Sequence, residues 1–288
     1  MYIVGLISND KNRVCFLQKN MSRKFENINN KFNIKNKENN QKQIENTEFP
    51  VSGIRLNKYL AQAGICSRRE ADQLIESGVV SVNGIAAKAG DRVFPNDEVI
   101  CNHKVVGKKQ DTVVLAYYKP VGVVCSQKDR HADKLVSDQL QFPVRVTYAG
   151  RLDKDSEGLL LMTNDGNLID KLMRGANRHE KEYVVKVKKD ISDDFLNKMS
   201  NGIYLKELEQ TTRPCRIEAV GKRTFRIILT QGLNRQIRRM CEASGQEVLS
   251  LKRVRVANVE LGKLKPGEYR VVSGEELKML YKESGIQA

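Results

Sequence analysis

The stretch AGRLDKDSEGLLLMTNDG, residues 149–166, decides how this chain is read. Its second half is a short apolar run closed by Asn164-Asp165-Gly166, the pattern of a buried strand ending in a turn. Its first half sets Asp153, Asp155 and Glu157 at every second position behind Arg151. In an extended segment alternate side chains share a face. Arg151, Asp153 and Asp155 are therefore expected on one side, with Leu152 and Lys154 on the other. Three readings of the acids are open. They can be solvated loop carboxylates that shape a turn. Asp153 and Asp155 can bind a divalent cation, although no further acids cluster elsewhere in the sequence. Or Asp153 alone can act as a nucleophile, held charged by nearby arginines.

The surrounding sequence offers those arginines. In TQGLNRQIRRMCEASG, residues 230–245, Gly232 ends a strand and Asn234 is placed to cap a helix. Arg235, Arg238 and Arg239 lie on related faces of that helix, with Ile237, Met240 and Cys241 as its apolar residues. LKRVRV at 251–256 adds Lys252, Arg253 and Arg255. Residues 232–255 hold six Lys or Arg and two Glu, a balance that suits phosphate contacts. Arginine also suits planar, bidentate recognition. Tyr183, in KEYVV, reads as a half-buried strand tyrosine. If it faces a pocket, its ring can stack on an extruded base.

The whole chain points to a polyanionic partner. Its 288 residues carry 50 Lys and Arg against 35 Asp and Glu, a formal charge of +15. No apolar run approaches the roughly 20 residues of a spanning helix, and no long basic amphipathic helix is evident. Nucleic acid is favoured over a membrane surface. Cys15, Cys66, Cys101, Cys125, Cys215 and Cys241 form no C-x-x-C pair, and the three histidines are scattered, so no zinc spacing is present. Six reduced thiols in a cytoplasmic protein are expected, and MYIVGLI lacks the flanks of a signal peptide.

Residues 1–52 are dominated by Asn, Lys, Gln and Glu, and disorder is expected there because so little apolar surface is available to offset chain entropy. Order begins near Ile54. Leu56, Tyr59, Leu60 and Ala63 have helical spacing and Gly64 supplies a stop. Ser67 and Glu70 form a capping-box pattern ahead of a second helix with Ala71, Leu74 and Ile75 on its apolar face. VVSVNGIAAKAGDRV alternates about Asn83-Gly84, a hairpin signal. Arg55, Lys58, Arg68 and Arg69 stay outside the apolar stripes. Beyond residue 112, TVVLAYYKPVGVVCS reads as a strand, a Lys119-Pro120 break and another strand. Further strands are expected at KEYVVKVKK, CRIEAV and TFRIILTQG, and helices at 167–174, 192–200 and 234–244. Strands outnumber helices at hairpin-like spacing, which predicts an α+β fold with a mainly antiparallel sheet.

The opening stretch resembles the signature of pseudouridine synthases, in which R-L-D holds the catalytic aspartate. YKPVGVVCS before it, KEYVV after it and GLNRQIRRMCEASG later join it in the family's order. Residues 54–100 look like an S4 RNA-binding domain, the N-terminal module of the RsuA-type branch. With the disordered extension expected from composition over 1–52, for which the family pattern has no counterpart, the resemblance implies an S4 domain over 53–102, a linker over 103–112 and a catalytic domain over 113–288. It implies conversion of a uridine in RNA to pseudouridine after the base is flipped out, with neither cofactor nor metal. The segment from TQGLNRQIRRMCE to LKPGEYR is most similar to a large-ribosomal-subunit group, which implies 23S rRNA; 16S rRNA or tRNA is the alternative substrate. By motif, Asp153 would be the nucleophile. Tyr183 would pack on the target base, Ile237 would line its pocket, Arg238 would pair with the aspartate and Arg151 would help displace the base. Arg55, Lys58, Ser67, Arg68, Arg69, Asn83 and Gly84 would touch RNA, as would Arg235 and Arg239. Ser156 stands where the family often has threonine, and the hydroxyl is kept. A monomer is expected. A non-catalytic S4-type RNA-binding or ribosome-assembly factor is the alternative from a different class.

Overall fold

The computed structural model describes residues 52–107, 110–126 and 134–286. The expected disordered extension, apart from Ser52, and Cys15 lie outside them. The first elements follow the local signals closely. Strand β1 (Ile54–Arg55) leads into helix α1 (Leu56–Gln62), which buries Leu56 and Leu60 one turn apart. Helix α2 (Arg68–Glu76) starts with both halves of a capping box: the Glu70 amide donates to Ser67 Oγ at 3.2 Å, and the Ser67 amide donates to Glu70 Oε2 at 2.8 Å. Asn83 and Gly84 both take left-handed conformations (φ 52° and 77°), the two-residue turn that joins β2 (Val80–Val82) to β3 (Ile85–Ala86). Strand β4 (Arg92–Val93) pairs with β1. With β5 (Val99–Cys101) and β6 (Lys104–Val105), a small sheet forms in the order β3-β2-β5-β6. It packs Val80 and Val99 with Leu56, Leu60, Ala71 and Ile75.

A nine-stranded sheet follows. Its elements in chain order are β7 (Val114–Lys119), α3 (Val136–Gln139), β8 (Thr147–Ala149), β9 (Glu157–Thr163), α4 (Gly166–Met173), β10 (Lys181–Val187) and α5 (Asp193–Asn201). A short hairpin, β11 (Tyr204–Leu205) and β12 (Gln210–Thr211), stands outside the sheet. The chain continues through β13 (Arg216–Gly221), β14 (Thr224–Leu229), α6 (Gln236–Ala243), β15 (Val248–Val256), β16 (Val259–Glu260), β17 (Tyr269–Val271) and α7 (Gly274–Glu283). The strand order is β13-β14-β10-β15-β9-β7-β17, with β16 on β15 and β8 on β9. Only the β15–β9 junction among the paired strands is parallel, so the sheet is mixed and mainly antiparallel, as the sequence predicts.

The apolar run in β9 is continuous because both faces of the strand are covered. Leu160 and Met162 face one core with Leu115, Tyr117, Phe195 of α5 and Ile237 and Met240 of α6. Leu159 and Leu161 face the other with Ala116, Leu168 and Leu172 of α4 and Leu280 of α7. Residues Ile54–Ala288 form one compact unit.

Two local expectations are corrected. No second strand follows Pro120; residues 121–126 contribute one bridge, Val124 to Leu135. The cause is Lys119, whose side chain is fully buried. Its ammonium donates to the carbonyls of Pro120 and Val123, each at 2.8 Å, and curls the backbone round itself. Nor does Asn234 cap α6. The helix begins at Gln236 behind a left-handed Arg235, and Gln236 Oε1 instead accepts the Leu233 amide at 3.1 Å. Asn234 accepts from Arg239 through its carbonyl (3.1 Å) and its Oδ1 (3.4 Å).

Candidate active site

The RLDKDSE segment is a turn ahead of β9 and not an extended run. Leu152 is buried and anchors it, and the Ser156 amide donates to the Asp153 carbonyl at 3.1 Å. The turn removes the expected alternation. Asp155 swings toward the start of α6, where Arg235 grips it with two donors (Nη1 3.1 Å, Nη2 2.8 Å). Arg238 Nε lies 3.2 Å from the same carboxylate, and Arg238 Nη2 donates to the Asp155 carbonyl at 2.9 Å. The Arg235 hydrogen bonds, with the Arg238 charge, hold the Asp155 carboxyl below the usual carboxylate range. Asp153 is left half-exposed, with Arg235 Nη1 at 3.8 Å. The expectation that Arg238 pairs with Asp153 is therefore corrected: its carboxylate is Asp155, because the reversal at 153–156 presents Asp155 to α6. Glu157 is corrected too. It opens β9 rather than lying in a loop, and it accepts a hydrogen bond from the Tyr118 hydroxyl at 2.8 Å.

A cavity of about 740 Å³ opens beside this turn. It collects the residues singled out from three distant segments: Arg151 and Asp153 from the turn, Tyr183 from β10, and Arg235, Ile237 and Arg238 from the α6 region. Tyr183 and Ile237 are buried, 9% and 4% exposed, and give the cavity an apolar floor. Arg151 is exposed at its edge. Asp153 is the one acidic residue among those lining it. Chemically this is an apolar slot with a single carboxylate and a cationic surround, suited to a neutral ring carried on an anionic chain. Among the described residues no three His, Cys, Asp or Glu side chains come together as metal ligands.

Comparison with known proteins agrees with this geometry. Residues 113–243 match the model of the RNA pseudouridylate synthase family, and residues 54–99 match the S4 domain. The dual-specificity RNA pseudouridine synthase RluF of Escherichia coli K12 is 46% identical over 236 residues, covering 81% of this chain and 80% of that protein. The ribosomal large subunit pseudouridine synthase B of Bacillus subtilis is 37% identical over 232 residues, covering 78% of this chain and 95% of that protein. A crystal structure of a pseudouridylate synthase superposes with a TM-score of 0.59 at 26% identity, over 79% of this chain and all of the other.

The chain belongs to the RsuA-type RNA pseudouridine synthases. It is an isomerase that makes pseudouridine in RNA, carrying an S4 domain ahead of its catalytic fold.

The remaining residues of this synthase that were read as RNA contacts divide into two sets. Arg55, Arg68 and Arg69 are exposed. Ser67, Asn83, Lys58 and Arg239 have partners within the protein. Ser67 is spent on the capping box, and Asn83 donates to Asp97 Oδ1 (2.8 Å) while accepting the Glu98 amide (2.9 Å), which pins the turn beside Gly84. Lys58 Nζ reaches Asn167 Oδ1 of α4 at 3.1 Å, and with Arg68 it lines a cleft of about 250 Å³ against residues 163–170. Arg239 does not line the cavity; it pairs with Glu207 and with Asn234. Sequence reasoning passed over two basic residues near the site, Lys119 and Lys181, and read Arg253 only as one of a basic run. Lys119 was read only as a strand break. Lys181 lies two positions before Tyr183, hence on the same strand face, a spacing that could have flagged it. Arg253 is 2% exposed, and its Nε donates to the Leu159 carbonyl at 2.7 Å.

Proposed function

We propose that the synthase acts on ribosomal RNA, with a uridine of 23S rRNA as its target, and that Asp153 is the nucleophile. The observation that carries the assignment of Asp153 is its position as the one acid lining a cavity floored by Tyr183 and Ile237. The substrate assignment is supported by the relatives, one of which is a large-subunit enzyme. In the reaction the N1–C1′ bond breaks, the uracil turns, and a C5–C1′ bond forms. The C5 proton leaves and N1 gains one, so no electrons are exchanged. A base inside a helix hides its glycosidic bond, and extruding it costs a few kcal/mol. Stacking on Tyr183, apolar contact with Ile237 and phosphate contacts would offset that cost, while the exposed Arg151 would take the vacated place in the stack. Arg235 and Arg238 would act indirectly, by fixing the turn through Asp155.

The N-terminal module would span 53–102, followed by a linker over 103–112 and the catalytic domain over 113–288. Arg55, Arg68 and Arg69 are among the module's exposed cations, and a second attachment raises affinity without changing the chemistry. The chain would work in the cytoplasm as a monomer. No helix of the described residues is long and apolar enough to cross a membrane. The 46% relative is a dual-specificity RNA enzyme, which supports a second substrate, with 16S rRNA or a tRNA as the candidates. The test is to incubate the protein with pseudouridine-free rRNA and tRNA and map the products. The wild type should modify one or a few uridines, in 23S rRNA foremost, and Asp153→Asn none while still binding RNA. Turnover by that variant would remove Asp153 from its role.

A further inference from the structure

The cavity has a second cationic wall that the reading above leaves unused. Lys181, at the start of β10, lines it together with Arg253 of β15 and His179. The Lys181 ammonium makes one long contact, to the His179 carbonyl at 3.4 Å, and no carboxylate pairs with it among the described residues. Arg253 spends Nε on Leu159 and reaches the Arg151 carbonyl with Nη1 at 3.4 Å, but its buried Nη2 has no hydrogen-bond partner. His179 Nε2 is likewise buried without one. The three groups are close enough to act on each other: the Arg253 charge bears on Lys181, and the Lys181 charge on His179. Lys119 makes the contrast, since its buried ammonium is matched by two carbonyls at 2.8 Å.

We propose that Lys181 and Arg253, with His179 beside them, form an anion subsite that takes the phosphodiester flanking the extruded uridine. Two cations set side by side in a wall need negative charge to offset their repulsion. No carboxylate pairs with Lys181 among the described residues, Asp153 lying instead by Arg235 at 3.8 Å, and uracil is neutral, so the offsetting charge would come with the ligand. In RNA only the phosphodiester carries it. Burial, aided by the Arg253 charge, pushes Lys181 down to about 8. The subsite would hold the backbone on the β10–β15 side while Tyr183, two residues along β10, meets the base. It rests on the reading that the cavity takes the flipped nucleotide.

The experiment is a thermodynamic cycle on a stem-loop containing the mapped uridine, followed in single turnover at varied protein concentration. The RNA carries either its natural phosphates or a neutral methylphosphonate on the 5′ or the 3′ side of that uridine. Lys181→Met should raise the half-saturating concentration about tenfold or more, the worth of one charge-assisted hydrogen bond, with the saturating rate nearly kept. Lys181→Arg should restore most of the loss. One of the two methylphosphonates should weaken the wild type by a similar factor and weaken Lys181→Met less than about twofold, since the same contact is already gone. The proposal is overturned if the two losses multiply, or if Lys181→Met lowers only the saturating rate. It is also overturned if neither methylphosphonate weakens the wild type, a result that needs no variant to fold. Turnover by Asp153→Asn on the natural stem-loop would instead strike the reading of the cavity itself, so the two failures stay distinct.

Discussion

Replacing Gly158 with alanine tests how tightly the catalytic turn is tied to the sheet. Gly158 follows Glu157 in β9, has φ +107°, and lies against Arg253 across the parallel junction with β15. A Cβ there would stand 2.2 Å from the Arg253 carbonyl oxygen and 2.8 Å from its amide nitrogen. Both atoms are backbone, so no side chain can rotate away; β15 must move outward by about 1 Å to restore ordinary contact. An L-residue at this φ costs about 1–3 kcal/mol, and overpacking a filled interior about 1–3 more. The expected loss is roughly 2–6 kcal/mol, set against a total stability of about 5–15. At this chain size each kcal/mol moves the melting temperature by roughly 2–4 °C, so a fall of about 5–20 °C is expected by circular dichroism. Gly262→Ala is the control, because Gly262 also has positive φ (59°) but nothing within 4 Å of its would-be Cβ. A Gly158→Ala protein that melts together with the Gly262→Ala protein would refute the steric reasoning. The variant should also lose turnover beyond its loss of fold, since β9 begins three residues after Asp153's neighbour Lys154 and a shift near 1 Å can cost about a hundredfold in rate.

Two further outcomes are expected. Ser67→Ala removes the hydroxyl that caps α2 and should cost about 1 kcal/mol in urea unfolding; a change within experimental error would mean the cap is replaced by water at no loss. Asp155→Asn should slow single-turnover chemistry about tenfold or more, by releasing both arginines from the turn, and a rate equal to wild type would sink the positioning role. The same variant has a pH signature. The folded carboxyl is depressed, so its stabilisation is present above the unfolded value near ~3.9 and is lost as pH falls through the lower folded value. The wild-type advantage in melting temperature should shrink below about pH 5. It will be small, because the side chain is 45% exposed and screened.

What the sequence discloses here is what neighbours in sequence decide. The Ser67–Glu70 box and the Asn83-Gly84 turn are satisfied within a few residues, so their patterns are sufficient. The β9 run is readable because burial on both faces leaves no polar position to interrupt it. The strand expected after Pro120 fails for the opposite reason. Its carbonyls are claimed by an ammonium whose burial depends on the whole sheet, and no local pattern encodes that. In the site, the family signature picks out Asp153, Tyr183, Ile237 and Arg238, and the fold brings all four to one cavity. The partners of the arginines were not legible. An alternating acid pattern implies a shared face only if the backbone is extended, and the Ser156 to Asp153 turn breaks that premise.

The division of labour among the acids follows from that turn. A nucleophilic carboxylate needs a lone pair directed at its target, and a bidentate arginine would cover both oxygens. Arg235 and Arg238 reach the turn from α6 with donors enough to do this. Asp155 intercepts them: its carboxylate takes the paired Arg235 bonds and lies 3.2 Å from Arg238 Nε, and its backbone carbonyl accepts from Arg238 Nη2. Asp153 then keeps Arg235 at 3.8 Å, beyond hydrogen-bond length, with its carboxylate facing the cavity. On the nucleophilic role proposed for Asp153, a cationic field for RNA and an open lone pair are thereby compatible within a few ångströms. The same economy accounts for Ser156, whose hydroxyl lies 3.5 Å from Arg238 Nη2 on the buried side of the turn. A threonine at that position keeps the hydroxyl and adds a methyl group, so what the turn requires there is the oxygen facing Arg238.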